Sequence, residues 1–179
     1  MPCDILVALA GNPNAGKTTV FNGLTGARQH VGNYPGITVE KKEGTACCDG
    51  HEIRIVDLPG TYSLTAFTLE EVVARSVLAD ERPDVVVDVV NASALERNLY
   101  LTVQLLEMGV PVVLALNMMD EARSLGLRID AEELSRRLGL PVVETVARRG
   151  KGLDELLHAA VEDVRARETA PWKPLIISY

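Results

Sequence analysis

Three shortages in this sequence each exclude a class of protein. Its 179 residues include three cysteines, Cys3, Cys47 and Cys48. Two of them are adjacent, so there is no framework of separated pairs, and a disulfide-stapled secreted scaffold gives way to a reducing cytosol as the expected setting. Positive charge is also scarce. Eighteen Lys and Arg stand against 25 Asp and Glu, a net charge of −7, and without clustered cations no nucleic-acid partner is expected. Long apolar runs are missing as well, because Asp88, Asn91 and Asn117 interrupt the most hydrophobic stretches. Nothing approaches the roughly 18 to 20 apolar residues that span a bilayer. The opening Met1-Pro2-Cys3-Asp4 has no positive flank of the signal-peptide kind, so the chain is expected to be soluble, beginning with a buried strand.

Hydrophobic residues make up 47% of the chain, enough for one substantial core and too few residues for two ordinary domains. One domain is expected over 1–168, with a tail over 169–179. Apolar runs of strand length recur at Asp4 to Ala10, Ile53 to Asp57, Val85 to Val90, Val112 to Asn117 and Val142 to Thr145. Segments of helical periodicity separate them, which predicts an α/β fold: a mostly parallel, six-stranded sheet with helices on both faces. The more polar stretch from Val39 to Cys48 precedes Asp49-Gly50, a two-residue hairpin signal, and reads as an antiparallel edge strand. Leu95, Leu99, Thr102, Val103 and Leu106 form one helical stripe. Asp130 with Glu133 three residues on, and Gly139 as the stop, bound a short helix at Ala131 to Leu138. Leu153 to Arg167 is the last predicted helix, before a break at Ala170-Pro171-Trp172-Lys173-Pro174.

Gly11-Asn12-Pro13-Asn14-Ala15-Gly16-Lys17-Thr18 follows a predicted strand and opens a helix, the setting of a phosphate-binding loop. Such glycines let successive N–H groups face a β-phosphate, while Lys17 neutralises β/γ oxygens and Thr18 holds Mg²⁺, with Thr19 beside it. Asp57-Leu58-Pro59-Gly60 ends a strand forty residues after Lys17. Alone it is an ordinary turn; after such a loop, Asp57 is placed to grip Mg²⁺ through water and the Gly60 N–H to meet a γ-phosphate. Asn117-Met118-Met119-Asp120 ends another strand, where a carboxylate accepts the N1 and N2 protons of guanine, donors that adenine lacks. Val146-Ala147-Arg148 follows the last strand, where a backbone N–H would meet the guanine O6. Val31-Gly32-Asn33-Tyr34-Pro35-Gly36-Ile37-Thr38 reads as a mobile segment whose Thr38 closes on Mg²⁺ and the γ-phosphate.

Taken in order, these elements resemble the Ras-like GTPases across nearly the whole chain. Gly11-Asn12-Pro13-Asn14, Gly32-Asn33-Tyr34-Pro35-Gly36, Leu95-Glu96-Arg97-Asn98-Leu99-Tyr100-Leu101-Thr102 and Asp57-Leu58-Pro59-Gly60-Thr61-Tyr62-Ser63-Leu64 narrow the match to the GTPase domain of FeoB-type ferrous iron transporters. The resemblance implies a domain on the cytoplasmic side of the bacterial inner membrane. It also implies a helical spacer, begun near Trp172, then a membrane domain for Fe²⁺, and it is compatible with a homo-oligomer. Thr61 stands where Ras-like enzymes have a water-orienting glutamine. The resemblance assigns part of that task to K⁺, held by Asn14 and by backbone carbonyls of Gly32 and Asn33. Met118 in place of a lysine implies modest nucleotide affinity; Asn91, Ala94 and Val146 also depart from the FeoB pattern.

The catalytic set expected is therefore Asn14, Lys17, Thr38 and Gly60. A nucleotide-sensing module with negligible hydrolysis and a P-loop kinase or ATPase are the competing readings, with an RNA-linked GTPase disfavoured by charge. His30, His51 and His158 show no ligand spacing among themselves, and Cys47, Cys48, Asp49 and His51 read as a hairpin tip, so no iron or zinc site is assigned. Glu70 and Glu71 are expected in the first turn of an exposed helix.

Overall fold

In this computed structural model residues 5–169 are described. Cys3, Asp4 and the tail from Ala170 to Tyr179 lie outside them.

Strand β1 (Ile5–Gly11) is apolar along its length because both of its faces are covered. Its parallel neighbours are β4 (His51–Asp57) and β5 (Val85–Asn91), and β5 is followed by parallel β6 (Val112–Asn117) and β7 (Val142–Glu144). On the other side β3 (Glu40–Cys48) pairs antiparallel with β4, and β2 (Gln29–Asn33) antiparallel with β3. The sheet thus has seven strands, in the order β2-β3-β4-β1-β5-β6-β7, rather than six. The extra strand is β2, so β3 lies one place in from the edge. Gln29-His30-Val31-Gly32-Asn33 has no apolar alternation and four of its five residues are exposed, so nothing but backbone pairing to β3 makes it a strand, and pairing leaves no pattern in composition.

Alternation along β1 sorts the core into two layers. Ile5, Val7 and Leu9 face α1 (Lys17–Thr25) and α6 (Leu153–Thr169), packing with Phe21, Leu156 and Ala160. Ala8 and Ala10 face the other layer, of α2 (Leu69–Asp80), α3 (Leu95–Glu107), α4 (Met119–Ser124) and α5 (Ala131–Leu138). The caps of α5 are those expected: Asp130 Oδ1 accepts from the Glu133 N–H at 3.0 Å, and Gly139 ends it at φ +70°. In α2 the expectation fails for Glu71, which is buried. Thr68 caps the helix through the Glu71 N–H, and Glu71 Oε2 accepts from Thr65 Oγ1 at 2.9 Å and the Phe67 N–H at 3.2 Å. This Thr-x-x-Glu pair folds the loop back onto the helix and draws the carboxylate in.

Asp88, which breaks the apolar run of β5, is 1% exposed and accepts a 2.5 Å hydrogen bond from Thr102 Oγ1 on α3. Burial pushes its carboxyl up to about 7, against the pull of that hydrogen bond. The five parallel strands all point their carboxyl ends to one rim of the sheet, and the motif residues sit on the loops there.

Candidate functional site

The phosphate end is built where β1 passes into α1. Gly16 has φ +90°, and a Cβ there would lie 2.3 Å from Asn117 Nδ2, so no other residue fits. Helix α1 has no side-chain cap, which leaves its first N–H groups facing the rim. Asn14, exposed at the tip of the loop, takes φ +67°. Asn12 is 3% exposed, and both polar atoms of its amide lack a protein partner among the described residues. The side chain of Lys17 is buried and its Nζ is ion-paired with Asp57 Oδ1. Burial raises the Asp57 carboxyl above the usual range in spite of Lys17.

Two hydrogen bonds carry the pairing of β4 with β1 beyond Asp57: the Leu58 N–H donates to Leu9 O at 3.0 Å and the Thr61 N–H to Gly11 O at 3.1 Å. They hold Gly60 against Pro13 of the phosphate loop. A cavity of about 280 Å³ results, lined by Lys17, Thr18, Thr38, Asp57, Gly60 and Glu70 among others. The three residues expected at Mg²⁺, Thr18, Thr38 and Asp57, therefore share one cavity of hard oxygen donors, one of them a buried carboxylate ion-paired with Lys17 and also near Lys42.

The segment expected to be mobile is anchored. Gly32 and Asn33 belong to β2, opposite Lys41 and Glu40, and neither lines the phosphate cavity. Tyr34 is buried in the α2 layer beneath Lys41, whose Nζ lies 5.6 Å from the ring centre. Burial, then Glu81, raises its phenol to about 12. The Tyr34 N–H donates to Val39 O at 2.9 Å, closing a short turn with Thr38 exposed on it. A glycine-rich sequence advertises the turn but not the tyrosine that nails it down.

At the base end, Asn117 is a strut. Its Nδ2 donates to Ala15 O at 3.1 Å, and its Oδ1 accepts from Thr145 Oγ1 and the Ala147 N–H, both at 3.0 Å. One buried amide thus joins the phosphate loop, the tip of β6 and the loop after β7. The Val146 N–H donates to Lys151 O at 3.0 Å, so two of the three N–H groups in the predicted base-contacting stretch already have protein acceptors. Met118, at φ +61°, turns the chain into α4, which brings Asp120 to the rim. Thr19, Met118, Asp120, Ala147 and Arg148 border a recess of only about 50 Å³. Arg148 closes it with an ion pair to Asp120. Partial burial favours the neutral carboxyl, but the Arg148 hydrogen bond and charge outweigh it and hold Asp120 below its ordinary range. Spacing along the chain placed only the backbone of Arg148 at the base; its side chain, a planar fork of N–H donors, pairs with the carboxylate expected to meet guanine.

A family model described as ferrous iron transport protein B matches residues 5–160. The chain belongs to the FeoB family. It is the amino-terminal G domain of such a protein. The Fe(2+) transport protein A/Fe(2+) transporter FeoB fusion protein of Porphyromonas gingivalis is 51% identical over 176 residues, covering 98% of this chain and 21% of that one. The solved FeoB G-domain of Methanococcus jannaschii superposes with a TM-score of 0.81 at 48% identity, covering 90% of this chain and 97% of that one. The GDP form of the cytosolic domain of T. maritima FeoB gives 0.85 at 46%, covering 90% and 63%. The chain spans about a fifth of the length of the curated relatives it matches. Among the described residues no helix is long and apolar enough to cross a membrane.

Proposed function

We propose that this domain binds GTP and GDP with Mg²⁺ and hydrolyses GTP slowly with the help of K⁺, within a longer protein that takes up ferrous iron. The observation that carries the reading is the convergence of the phosphate loop, Asp57 to Gly60 and Asp120 on one rim, with Asn117 bridging the phosphate and base ends. Residues 1–168 form the G domain in this reading. The tail from 169 begins a spacer that leads to the membrane part, which fits relatives about five times as long and places the domain at the cytoplasmic side of the bacterial inner membrane.

Lys17 exchanges Asp57 for β/γ-phosphate oxygens, and the uncapped N–H groups of α1 take the β-phosphate. Gly60, held by the flanking hydrogen bonds to β1, offers its N–H to the γ-phosphate. Asp120 releases Arg148 and accepts the guanine N1 and N2 protons. Thr18, Thr38 and Asp57 would hold Mg²⁺, which supplies positive charge to the β- and γ-phosphate oxygens. Thr61 is 5% exposed and its N–H is spent on Gly11 O, so it cannot orient an attacking water. Slow turnover without outside help follows. Of the K⁺ donors, Asn14 is presented at the loop tip, whereas Gly32 and Asn33 are held in β2. The residues fit that ion only once β2 moves.

The test is steady-state GTP hydrolysis with Mg²⁺ in KCl against NaCl at equal ionic strength, with Asn14→Ala alongside. Stimulation by K⁺ that vanishes in the variant is expected. Equal, near-background rates in both salts would leave the domain as a nucleotide-sensing switch that waits for a partner's catalytic group.

A further inference from the structure

At the end of β3 and β4 away from the nucleotide rim, the fold assembles a thiol, a carboxylate and an imidazole from parts of the chain 109 residues apart. Asp49 and Gly50, at φ +52° and +78°, make the two-residue turn that pairs Cys48 with His51. That turn aims Asp49 at α6, where His158 Nδ1 lies 2.6 Å from Asp49 Oδ2. The ligand atoms of Cys48, Asp49 and His158 all lie within 4.8 Å of one another. Asp154, one helical turn before His158, lines the same cavity of about 430 Å³, as do Cys47 and Glu155. His51, the histidine nearest in sequence, is instead turned to Arg165, 2.5 Å from its Nε2.

We propose that Cys48, Asp49 and His158 bind a divalent first-row transition ion of borderline softness, with Asp154 or water as the fourth ligand. The donor set selects the ion: sulfur and imidazole nitrogen suit Zn²⁺, Co²⁺ or Fe²⁺ and are poor ligands for Mg²⁺. Small rotations close a 4.8 Å spread to the separations that tetrahedral bonds near 2.0 to 2.3 Å require. Charge agrees with the geometry. Asp49, Asp154 and Glu155 line the same cavity, and a divalent cation relieves the repulsion among these carboxylates. Binding converts the thiol to a metal thiolate with release of its proton, and frees His158 from its hydrogen bond to Asp49, so affinity falls in acid. A β4 of seven residues puts the cluster roughly 20 Å from the phosphate cavity, and GDP binding therefore serves as an independent check of folding.

The decisive experiment titrates the reduced, metal-free chain with Co²⁺ under anaerobic conditions and follows thiolate-to-cobalt charge-transfer absorption. A saturable band that Zn²⁺ displaces is expected. Cys48→Ser should abolish it, His158→Gln should weaken Co²⁺ binding at least about tenfold, and Cys47→Ser should leave it intact, each variant still binding GDP. On the unmutated chain, Zn²⁺ should protect Cys48 from alkylation while Cys47 reacts as before. Absence of the band, its survival in Cys48→Ser, an unchanged His158→Gln, or alkylation of Cys48 indifferent to Zn²⁺ would each overturn the proposal.

Discussion

The two ends of the nucleotide cleft hold the same device in different surroundings. At the phosphate end Lys17 pairs with Asp57, with side-chain exposures of 9% and 7%; at the base end Arg148 pairs with Asp120, at 61% and 18%. In each case a residue proposed to contact the nucleotide is paired with another residue of the protein. Water screens the outer pair, so it contributes little to stability. Desolvation works against the inner pair, and the Asp57 carboxyl is shifted up although a lysine touches it, whereas that of Asp120 is shifted down. The inner pair is thus a buried charge pair with an unmet demand for further charge, which in the proposed reading phosphate and Mg²⁺ would fulfil, and the outer pair is a screened surface contact that would open more easily.

Breaking the inner pair should have the largest effect. Lys17→Met removes the phosphate cation and strands Asp57, and GDP affinity should fall by roughly 100-fold; a change below about threefold in a fluorescent-GDP titration would remove the asymmetry between the two ends. Next comes Asp120→Asn, expected to lower GDP affinity by roughly 30-fold and to erode the preference for guanine over adenine nucleotides in competition, since one acceptor of the bidentate pair becomes a donor.

Asp88 sharpens the contrast, being a buried carboxyl with no cation beside it among the described residues. It titrates at about 7 when folded, against an ordinary value of 3.8. The native state therefore holds the extra proton between those values, and stability falls as pH rises from about 4 to 7. Asp88→Asn keeps an acceptor for Thr102 without the charge. It should be more stable than the parent above pH 7 and no different near pH 4, measured by urea unfolding at both. The smallest effect is expected for Arg148→Ala, which unlatches the base recess. GDP should associate about two- to fivefold faster, and added salt should mimic the substitution in the parent protein and do little in the variant.

Legibility followed the range of the interaction. The phosphate loop, the Asp49-Gly50 turn and the Asp130 and Gly139 caps were readable because they depend on torsions and hydrogen bonds within a few residues. Thr68-x-x-Glu71 carries the same kind of signal, a capping pair whose Glu71 turns inward. No local signal announced β2, which is held by the backbone of β3 and by the Gln29 side chain donating to Asn22 Oδ1 on α1.

Residue type and spacing by themselves determined the α/β class, the order of the site elements and the reason for guanine, because each rests on backbone sterics, hydrophobic period or the donor pattern of one side chain. Tertiary structure alone decided which charges meet. Lys17 with Asp57, Asp120 with Arg148, Asn117 with Ala15 and Ala147, and Asp49 with His158 are encounters across 28 to 109 residues. Such partners are fixed by how the sheet and its helices pack, since a side chain's charge acts over distance in space and takes no account of separation along the chain.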